Sequence, residues 1–389
     1  MDVKRKEIEE ALAKEQFTLH YQPKVSLVTG EVSGAEALVR WTDDNLRTIS
    51  PDHFIPVAER NGLISEITAR LVPTAIHTLK RLCNCGSTIS IALNTSADDF
   101  IDTQISTLLH DSMDHSGISP QRLQIEITET AKLDKGDAVF RRLHDLREAG
   151  FQLIMDDFGT GYSSIDLLGQ LPFSALKVDQ GVIHRMAGST KNLNIVNMII
   201  NLARTLRMQV VAEGVEDSNT FRFLSYAGCA EAQGYWICRP LPENEFLEFV
   251  ENKPRWPSSQ LGMIYHAQMN NIYFHKSVLD AALYAACGIR DEMSSVTNPD
   301  IEFDPQHTRL GEWYYGTGQE LRDRASFRAI EEPHRNMHEA GAHFLQHAAK
   351  GQCEEFSQML EHFNKQFENV SNALNRLQAE LVAEEPFRK

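Results

Sequence analysis

Acidic and amide side chains that could bind divalent cations, and one lysine, follow short apolar segments through the first 240 residues. These segments end at Glu36, Asn94, Glu126, Asp156, Asp157, Lys177, Glu213 and Gln233. A segment such as 152–155 is apolar because a parallel barrel strand is covered on both faces, so the carboxylates that follow it leave the core at its carboxyl end. Carboxylates that converge there repel one another, and hard divalent cations relieve that repulsion. The spacing therefore predicts a metal site at the mouth of a barrel.

The elements that position these residues alternate between two periodicities from residue 17 to about 237. Strand-like segments are followed by amphipathic segments, such as Ile64–Leu82, Asp137–Glu148 and Leu193–Leu206, which predicts a parallel sheet with helices outside it. The first two strand-like segments, Phe17–Leu27 and Glu31–Trp41, are separated only by a short turn, so we expect them to pair antiparallel. The predicted fold class is α/β, a modified TIM (β/α)₈ barrel with an antiparallel early strand, followed by an all-α helical bundle.

A chain of 389 residues is too long for such a barrel alone, which takes about 250 residues. The segment 251–260 carries two prolines and no periodicity, as a linker does. After it, the long helical patterns Met263–Ala286, Phe327–Ala349 and Cys353–Ala383 predict an antiparallel bundle. We therefore expect a barrel domain in residues 1–250, a linker in 251–260 and a helical domain in 261–389.

Composition narrows the classes of partner and compartment. A formal net charge of −16 argues against a general binder of nucleic-acid polymers or anionic membranes, because both need a positive field. No signal peptide and no apolar stretch of roughly 20 residues is visible, and the six cysteines show no disulfide framework. The pair Cys83 and Cys85 is interpreted as part of a loop after a helix. These features predict a cytoplasmic protein.

Seven sequence motifs occur in one order: GAEALVRW, NTS, EITE, DDFGTGYSS, KVD, AEGVE and AQGY. Together they closely resemble the EAL-domain phosphodiesterases, over roughly residues 5–247. These enzymes hydrolyse the bacterial second messenger cyclic di-GMP to the linear dinucleotide pGpG. The resemblance implies the same metal-dependent activity here.

The resemblance also implies a role for each polar residue at the strand ends. Glu36, Asn94, Glu126 and Asp156 are expected to hold one Mg²⁺ or Mn²⁺, and Asp156 to bridge to a second ion that Asp157 completes. Two such ions, about 3.5–4 Å apart, activate a water and bind the attacking and leaving oxygens of a phosphodiester. Lys177 is expected to orient that water or stabilise developing charge, Glu213 to complete the metal set, and Gln233 to position water.

Further residues match family positions that meet the nucleotide, namely Gln22, Arg40 and Asp179. The glycine-containing stretch 157–164 resembles a loop that couples dimerisation to metal binding in the family, and Glu129 matches the residue that anchors it. A homodimer is therefore expected. Any one of these residues alone is more often an ordinary solvated loop residue. The alternative function, a receptor that binds cyclic di-GMP without hydrolysis, is disfavoured because the set of metal ligands is complete.

The C-terminal segment contains a second candidate metal site. His334 and His338 stand four residues apart on one helical face, a common arrangement of metal ligands, although such a pair can also belong to a solvated face. His343 and His347 continue this periodicity and are interpreted as a polar helix face.

The motifs HTRLGEWYYGTG and EEPHRNMH resemble the chemoreceptor zinc-binding domain, a helical bundle that holds Zn²⁺ with three histidines and one cysteine. The matching histidines are His275, His334 and His338, while Thr308 stands where that family places its cysteine. A hydroxyl is a poorer zinc ligand than a thiolate. His307 could turn inward as the fourth ligand, or a water could take that place.

The resemblance implies a bundle that binds zinc and regulates the barrel; alternatively, the bundle serves only dimerisation and the histidine cluster is accidental. The aromatic residues Trp313, Tyr314 and Tyr315 are expected in the bundle core.

Overall fold

The structure is a computed structural model that describes residues 3–128, 137–159, 164–186, 188–206, 208–256, 260–286, 301–349 and 353–384. The chain divides into two compact units: a barrel unit, residues 1–225 and 229–258, and a helical unit, residues 226–228 and 259–389. The expected linker at 251–260 stays a prediction. Among the described helices, none is long and apolar enough to cross a membrane.

The strands of the barrel unit are short and mostly buried. They are β1 (Phe17–Ser26), β2 (Val32–Thr42), β3 (Thr48–Ile49), β4 (Ser90–Thr95), β5 (Leu123–Thr128), β6 (Gln152–Phe158), β7 (Ala175–Val178), β8 (Gln209–Ala212), β9 (Glu231–Ala232) and β10 (Leu241–Pro242). Eight of them close into a ring in the order β1, β2, β4, β5, β6, β7, β8, β9, while β3 and β10 extend β2 and β1. This closed barrel confirms the predicted fold class.

The helices of this unit cover the outside of the ring. They are α1 (Arg5–Ala13), α2 (Pro51–Arg60), α3 (Ile64–Asn84), α4 (Gln104–Ser116), α5 (Asp137–Glu148), α6 (Ser164–Gln170), α7 (Gln180–Met186), α8 (Thr190–Thr205), α9 (Ser218–Ala227) and α10 (Glu243–Glu251). Tyr21 shows how strand and helix layers join: its ring stacks on Phe246 of α10 at 5.2 Å, and its hydroxyl hydrogen-bonds to Thr78 of α3 at 2.8 Å.

The first strand runs against the direction of the rest of the barrel. β1 pairs antiparallel with both β2 and β9, whereas the strands from β2 round to β9 are parallel in ring order. The turn between β1 and β2 is tight because Gly30 takes a φ of 70°, a left-handed conformation that glycine adopts without steric cost. The predicted antiparallel pair is confirmed, and its register places Gln22 beside Glu36.

The helical unit packs long helices around an apolar core. Its helices are α11 (Gln260–Ala286), α12 (Arg309–Tyr315), α13 (Ala325–Arg328), α14 (Glu331–Ala349) and α15 (Cys353–Glu384). Phe344 of α14 stacks on Phe363 of α15 at 5.9 Å, and both rings are buried. Trp313 and Tyr314 lie in the core as predicted. The prediction for Tyr315 is wrong, because its ring is exposed and its hydroxyl donates to Glu331 at 3.1 Å.

Candidate active site and metal centre

The polar residues predicted at the strand ends lie together at one mouth of the barrel. Glu36, Asn94, Glu126, Asp156, Asp157 and Lys177 stand on β2, β4, β5, β6 and β7, and Glu213 and Gln233 directly follow β8 and β9. The parallel register pairs Asn94 with Glu126, which sets both side chains at one level. We call Glu36, Glu126, Asp156, Asp157 and Glu213 the carboxylate cluster. The barrel therefore brings together the residues that the sequence motifs single out.

Lys177 occupies the centre of the carboxylate cluster, with none of its side chain exposed. Its Nζ lies 2.7 Å from Glu213 Oε1, 2.8 Å from Glu126 Oε2, 3.0 Å from Asp156 Oδ1 and 3.2 Å from Glu36 Oε2. Burial alone would lower the pKa of Lys177, but the surrounding carboxylates raise it, so the ammonium stays charged. One ammonium group thus contacts four carboxylates at once.

Glu36 is held in its ionised form by direct hydrogen bonds. Asn94 Nδ2 donates to Oε1 at 2.6 Å and Gln233 Nε2 donates to Oε2 at 2.7 Å. Burial works to raise the pKa of Glu36, yet Lys177 and these two donors outweigh it and bring the pKa to about 2. Gln233 Nε2 also donates to Gln22 Oε1 at 2.9 Å. Glu36, Gln233 and Gln22 thus form one hydrogen-bonded network at the floor of the site.

The remaining carboxylates show that the cluster is short of positive charge. Burial, only partly offset by Lys177, raises the pKa of Glu126 to about 7 and that of Glu213 to about 8. Burial and the neighbouring charge of Asp156 raise the pKa of Asp157 to about 6. Bound cations would reverse these shifts, because a nearby positive charge favours the ionised carboxylate.

The cluster fits the predicted pair of divalent ions. One group of ligand oxygens within 4.8 Å of one another comes from Glu36, Glu126 and Asp156, and a second comes from Asp156, Asp157 and Glu213. Asp156 belongs to both groups, which is the arrangement of a bridging ligand. Asp157 has a φ of 58°, rare outside glycine, and its N–H donates to Asp156 Oδ1 at 2.9 Å. These oxygens are ligands of the type that Mg²⁺ and Mn²⁺ prefer.

The three predicted substrate residues, Gln22, Arg40 and Asp179, make different kinds of contact. Gln22 is buried and donates to Cys238 O at 3.1 Å, so it helps to fix the floor of the site. Arg40 is half-buried on β2 and donates from Nη1 to Val39 O at 2.9 Å. Asp179 follows β7 and accepts the N–H of Gly181 at 2.9 Å, which caps α7. Glu129 and residues 160–163 of the predicted loop lie outside the described residues.

One buried charged residue near the site was missed by sequence reasoning. Lys24 lies on β1, two residues after Gln22, and therefore faces the barrel interior as Gln22 does. The sequence does contain a sign of this burial. Tyr21 and Val25 occupy the other face of the strand and are buried, so the alternation places Lys24 on the inward face.

In the helical unit, His334 and His338 are both buried and pack edge to face at 4.7 Å. We call them the histidine pair. Thr308 Oγ1 lies 3.3 Å from His334 Nε2, at the place where the sequence comparison expects a cysteine ligand. Among the described residues, His338 Nδ1 has no hydrogen-bond partner. Burial lowers the pKa of His334 to about 4 and, together with His334, that of His338 to about 3, so both rings are neutral, as metal ligands require.

The other two predicted zinc ligands lie apart from the histidine pair. His275 Nε2 bonds to Asn364 Oδ1 at 2.8 Å, and its ring stacks on Phe363 and Phe367 of α15. His307 is 73% exposed and pairs with Asp304 at 3.2 Å. In the described part of the chain, no group of three His, Cys, Asp or Glu ligand atoms within 4.8 Å includes the histidine pair. As ligands, His275 and His307 stay predictions that require their side chains to turn.

The fold and the carboxylate cluster define a (β/α) barrel with a candidate site for two divalent cations. The sequence profile of the EAL domain family matches residues 5–240, and this chain belongs to that family. Residues 283–345 match the chemoreceptor zinc-binding domain, a range that does not include His275.

Relatives of known name match the barrel unit. The bifunctional diguanylate cyclase/cyclic di-GMP phosphodiesterase MucR of Pseudomonas aeruginosa is 36% identical over 245 residues, which are 63% of this chain and 36% of MucR. The cyclic di-GMP phosphodiesterase RocR of the same organism is 33% identical over 234 residues, 60% of each protein. The chain thus spans less than two thirds of these relatives' length.

Solved structures show the same barrel. The structure titled "PaMucR Phosphodiesterase, c-di-GMP complex" superimposes with a TM-score of 0.58 and 36% identity, and the match covers 62% of this chain and 98% of that one. The EAL enzyme Bd1971, in its cAMP- and cyclic-di-GMP-bound form, superimposes with a TM-score of 0.60 at 28% identity, covering 63% of this chain and 67% of that one.

Proposed function

We propose that the barrel unit hydrolyses cyclic di-GMP to linear pGpG with two divalent cations, Mg²⁺ or Mn²⁺. The observation that carries the proposal is the pair of carboxylate groups that share Asp156 around a buried Lys177. The names of the relatives and of the cyclic di-GMP complex support the choice of substrate.

Each residue has a role that its position supports. Glu36, Asn94, Glu126 and Asp156 would hold one ion, and Asp156, Asp157 and Glu213 the other. Such ions polarise a phosphodiester and lower the pKa of a bound water. Lys177 supplies a fixed positive charge near the phosphoryl oxygens on which negative charge develops, and its contacts leave it no freedom to turn away.

The residues around the cluster orient the reactants. Gln233, fixed by its bonds to Glu36 and Gln22, presents an amide that can position the attacking water. The guanidinium of Arg40 can bind a phosphate through two parallel hydrogen bonds. In the reaction, the water loses a proton and its oxygen bonds to phosphorus, the bond from phosphorus to one ribose O3′ breaks, and that oxygen gains a proton. Asp179 is proposed to contact the nucleotide from the end of β7.

The first experiment incubates cyclic di-GMP with purified protein and Mg²⁺ or Mn²⁺ and follows pGpG by chromatography. Glu36→Ala should abolish the product, because it removes a ligand and the anchor of Asn94 and Gln233. Glu31→Ala is the matched control, since that carboxylate is exposed and pairs only with Arg255 among the described residues. Wild type that binds the nucleotide in Ca²⁺ but forms no product in Mg²⁺ or Mn²⁺ would instead indicate a receptor.

We further propose that the helical unit binds Zn²⁺ through the histidine pair and regulates the barrel. The support is a buried, neutral pair of imidazoles with Thr308 beside it. His334→Ala/His338→Ala should remove the response of turnover to graded zinc. His343→Ala/His347→Ala is the matched control, with the same spacing on the same helix but His343 exposed. An identical zinc response in all three proteins would contradict regulation and point to displacement of Mg²⁺ in the barrel.

Two supporting measurements address the remaining alternatives. Metal analysis of protein purified without a histidine tag tests whether the histidine pair is an accidental cluster in a dimerisation bundle. Sedimentation tests the homodimer, which we propose for the full chain from its family membership.

A further inference from the structure

Lys24 is a buried ammonium group that the proposed reaction does not use. None of its side chain is exposed, and neither is any of Glu126. A buried charge is costly unless it is paired and hydrogen-bonded. The position of Lys24 therefore calls for a partner that compensates it.

The barrel leaves a slot for this side chain. Gly34 lies opposite Lys24 in the register of β1 and β2. A Cβ on Gly34 would lie 2.9 Å from Ser90 Oγ, 3.0 Å from Ser90 O and 3.3 Å from Lys24 Cε, so a larger residue would press on Ser90 first and on the lysine as well. The glycine thus allows Lys24 to reach across the interior toward β5.

On β5, Lys24 meets two side chains. Its Nζ donates to Gln124 Oε1 at 2.7 Å and lies 3.7 Å from Glu126 Oε1. The other oxygen of Glu126, Oε2, lies 2.8 Å from Lys177 Nζ. Glu126 is therefore held between two ammonium groups, Lys24 on β1 and Lys177 on β7, one at each carboxylate oxygen.

Among the described residues, Glu126 Oε1 has no hydrogen-bond partner, so the charge of Lys24 is its compensation there. Among the described residues, Lys24 is therefore the group that fixes the orientation of the carboxylate on the Oε1 side.

We propose that Lys24 is a positioning residue, which holds Oε1 of Glu126 from beneath so that Oε2 faces Lys177 and the first ion. The inference rests on the proposed metal-dependent function. The alternative is a lysine that only fills space inside the barrel. Such a lysine would need only the hydrogen bond to Gln124, and its replacement would leave metal binding unaffected.

The test is calorimetric titration of the full chain with Mn²⁺ in the absence of nucleotide, alongside thermal unfolding. Lys24→Met should weaken Mn²⁺ binding by about 10–100-fold, the usual effect of removing a group that orients a metal ligand. Gln124→Leu is the matched control: it removes the hydrogen bond but leaves Lys24 beside Glu126, and Mn²⁺ affinity should stay within about threefold of wild type.

A lower melting temperature with unchanged Mn²⁺ affinity in Lys24→Met would overturn the inference, and so would tighter binding, which would show that Lys24 merely repels the ion. If Lys24→Met does not fold, Lys24→Gln, which keeps a donor but no charge, must show the loss of affinity. Wild type that binds no Mn²⁺ would refute the proposed function itself. Wild type that binds Mn²⁺ and forms pGpG, with Lys24→Met equal to it, would refute only the role of Lys24.

Discussion

Replacing Thr308 by cysteine should strengthen zinc binding at the proposed site. Thr308 Oγ1 is 3.3 Å from His334 Nε2. In a tetrahedral zinc site, Zn–N and Zn–O bonds of about 2.0–2.1 Å place a nitrogen and an oxygen ligand about 3.4 Å apart, and a Zn–S bond of about 2.3 Å places a nitrogen and a sulfur ligand about 3.6 Å apart. A cysteine sulfur could therefore share one Zn²⁺ with His334 after a shift of a few tenths of an ångström.

The expected gain follows from the contribution of one good ligand. Structural zinc sites with four ligands supply about 10–16 kcal/mol, so one ligand is worth about 3 kcal/mol. That energy corresponds to about a hundredfold in the dissociation constant. The neutral hydroxyl of Thr308 supplies little of it, because Zn²⁺ prefers a thiolate. Thr308 also accepts the N–H of Gly311 at 3.0 Å as the cap of α12, so the zinc-free variant should lose about 1 kcal/mol of stability.

The assay is competition with a chromophoric zinc chelator under reducing conditions, using protein without a histidine tag. Cobalt substitution should add a thiolate-to-metal absorption band that wild type lacks. Thr308→Ser keeps the hydroxyl and the cap, so its zinc affinity should match that of wild type. Equal zinc affinity of Thr308→Cys and wild type would refute the placement of Thr308 in the site.

Three further changes test other parts of the structure. With a chelator present, Lys177→Met should lower the free energy of unfolding by about 3–5 kcal/mol, because one partner of a buried ionic network is lost. Added Mn²⁺ should raise the melting temperature of the variant more than that of wild type. An unchanged melting temperature in the variant would contradict this. Gly34→Ala should cost about 1–3 kcal/mol by overpacking, whereas Gly169→Ala, with nothing within 4 Å of its Cβ, should not destabilise; denaturant unfolding compares them. His275→Ala should change zinc affinity by less than about tenfold and His334→Ala by far more; equal losses would show that His275 turns to the metal.

The alternation of strand and helix was legible in the sequence because burial on both faces produces apolar segments and burial on one face produces a helical period. The first residues of the helices were harder to predict from the sequence. The apolar period predicts a helix from Leu193, but α8 begins at Thr190, where Ser189 Oγ accepts the N–H of Lys191 at 3.1 Å. A polar first turn carries no hydrophobic period, so the capping residue marks the start instead.

The candidate site was predictable as a set of residues but not as a network. Strand ends identify Lys177 as a residue near the mouth, but its contacts with four carboxylates follow from closure of the ring. The burial of Lys24 was harder to predict, because its inward position on the strand is visible in the sequence but a lysine ordinarily extends its charged end to solvent, and the close approach to Gly34 becomes visible only in the pairing of β1 and β2. In the helical unit, periodicity places His275 on a helix but does not decide its rotamer, which the bond to Asn364 sets.

The charge balance of the carboxylate cluster agrees with the proposed need for two cations when a phosphodiester binds. The five members of the carboxylate cluster face two buried ammonium groups, Lys24 and Lys177, which leaves three formal negative charges. Lysine contacts and raised carboxyl pKa values make that excess tolerable, but an anionic substrate would be repelled. Two divalent cations reverse the sign. The two lysines therefore offset only part of the negative charge of the cluster, and in the proposed reaction the metal ions supply the attraction for phosphate.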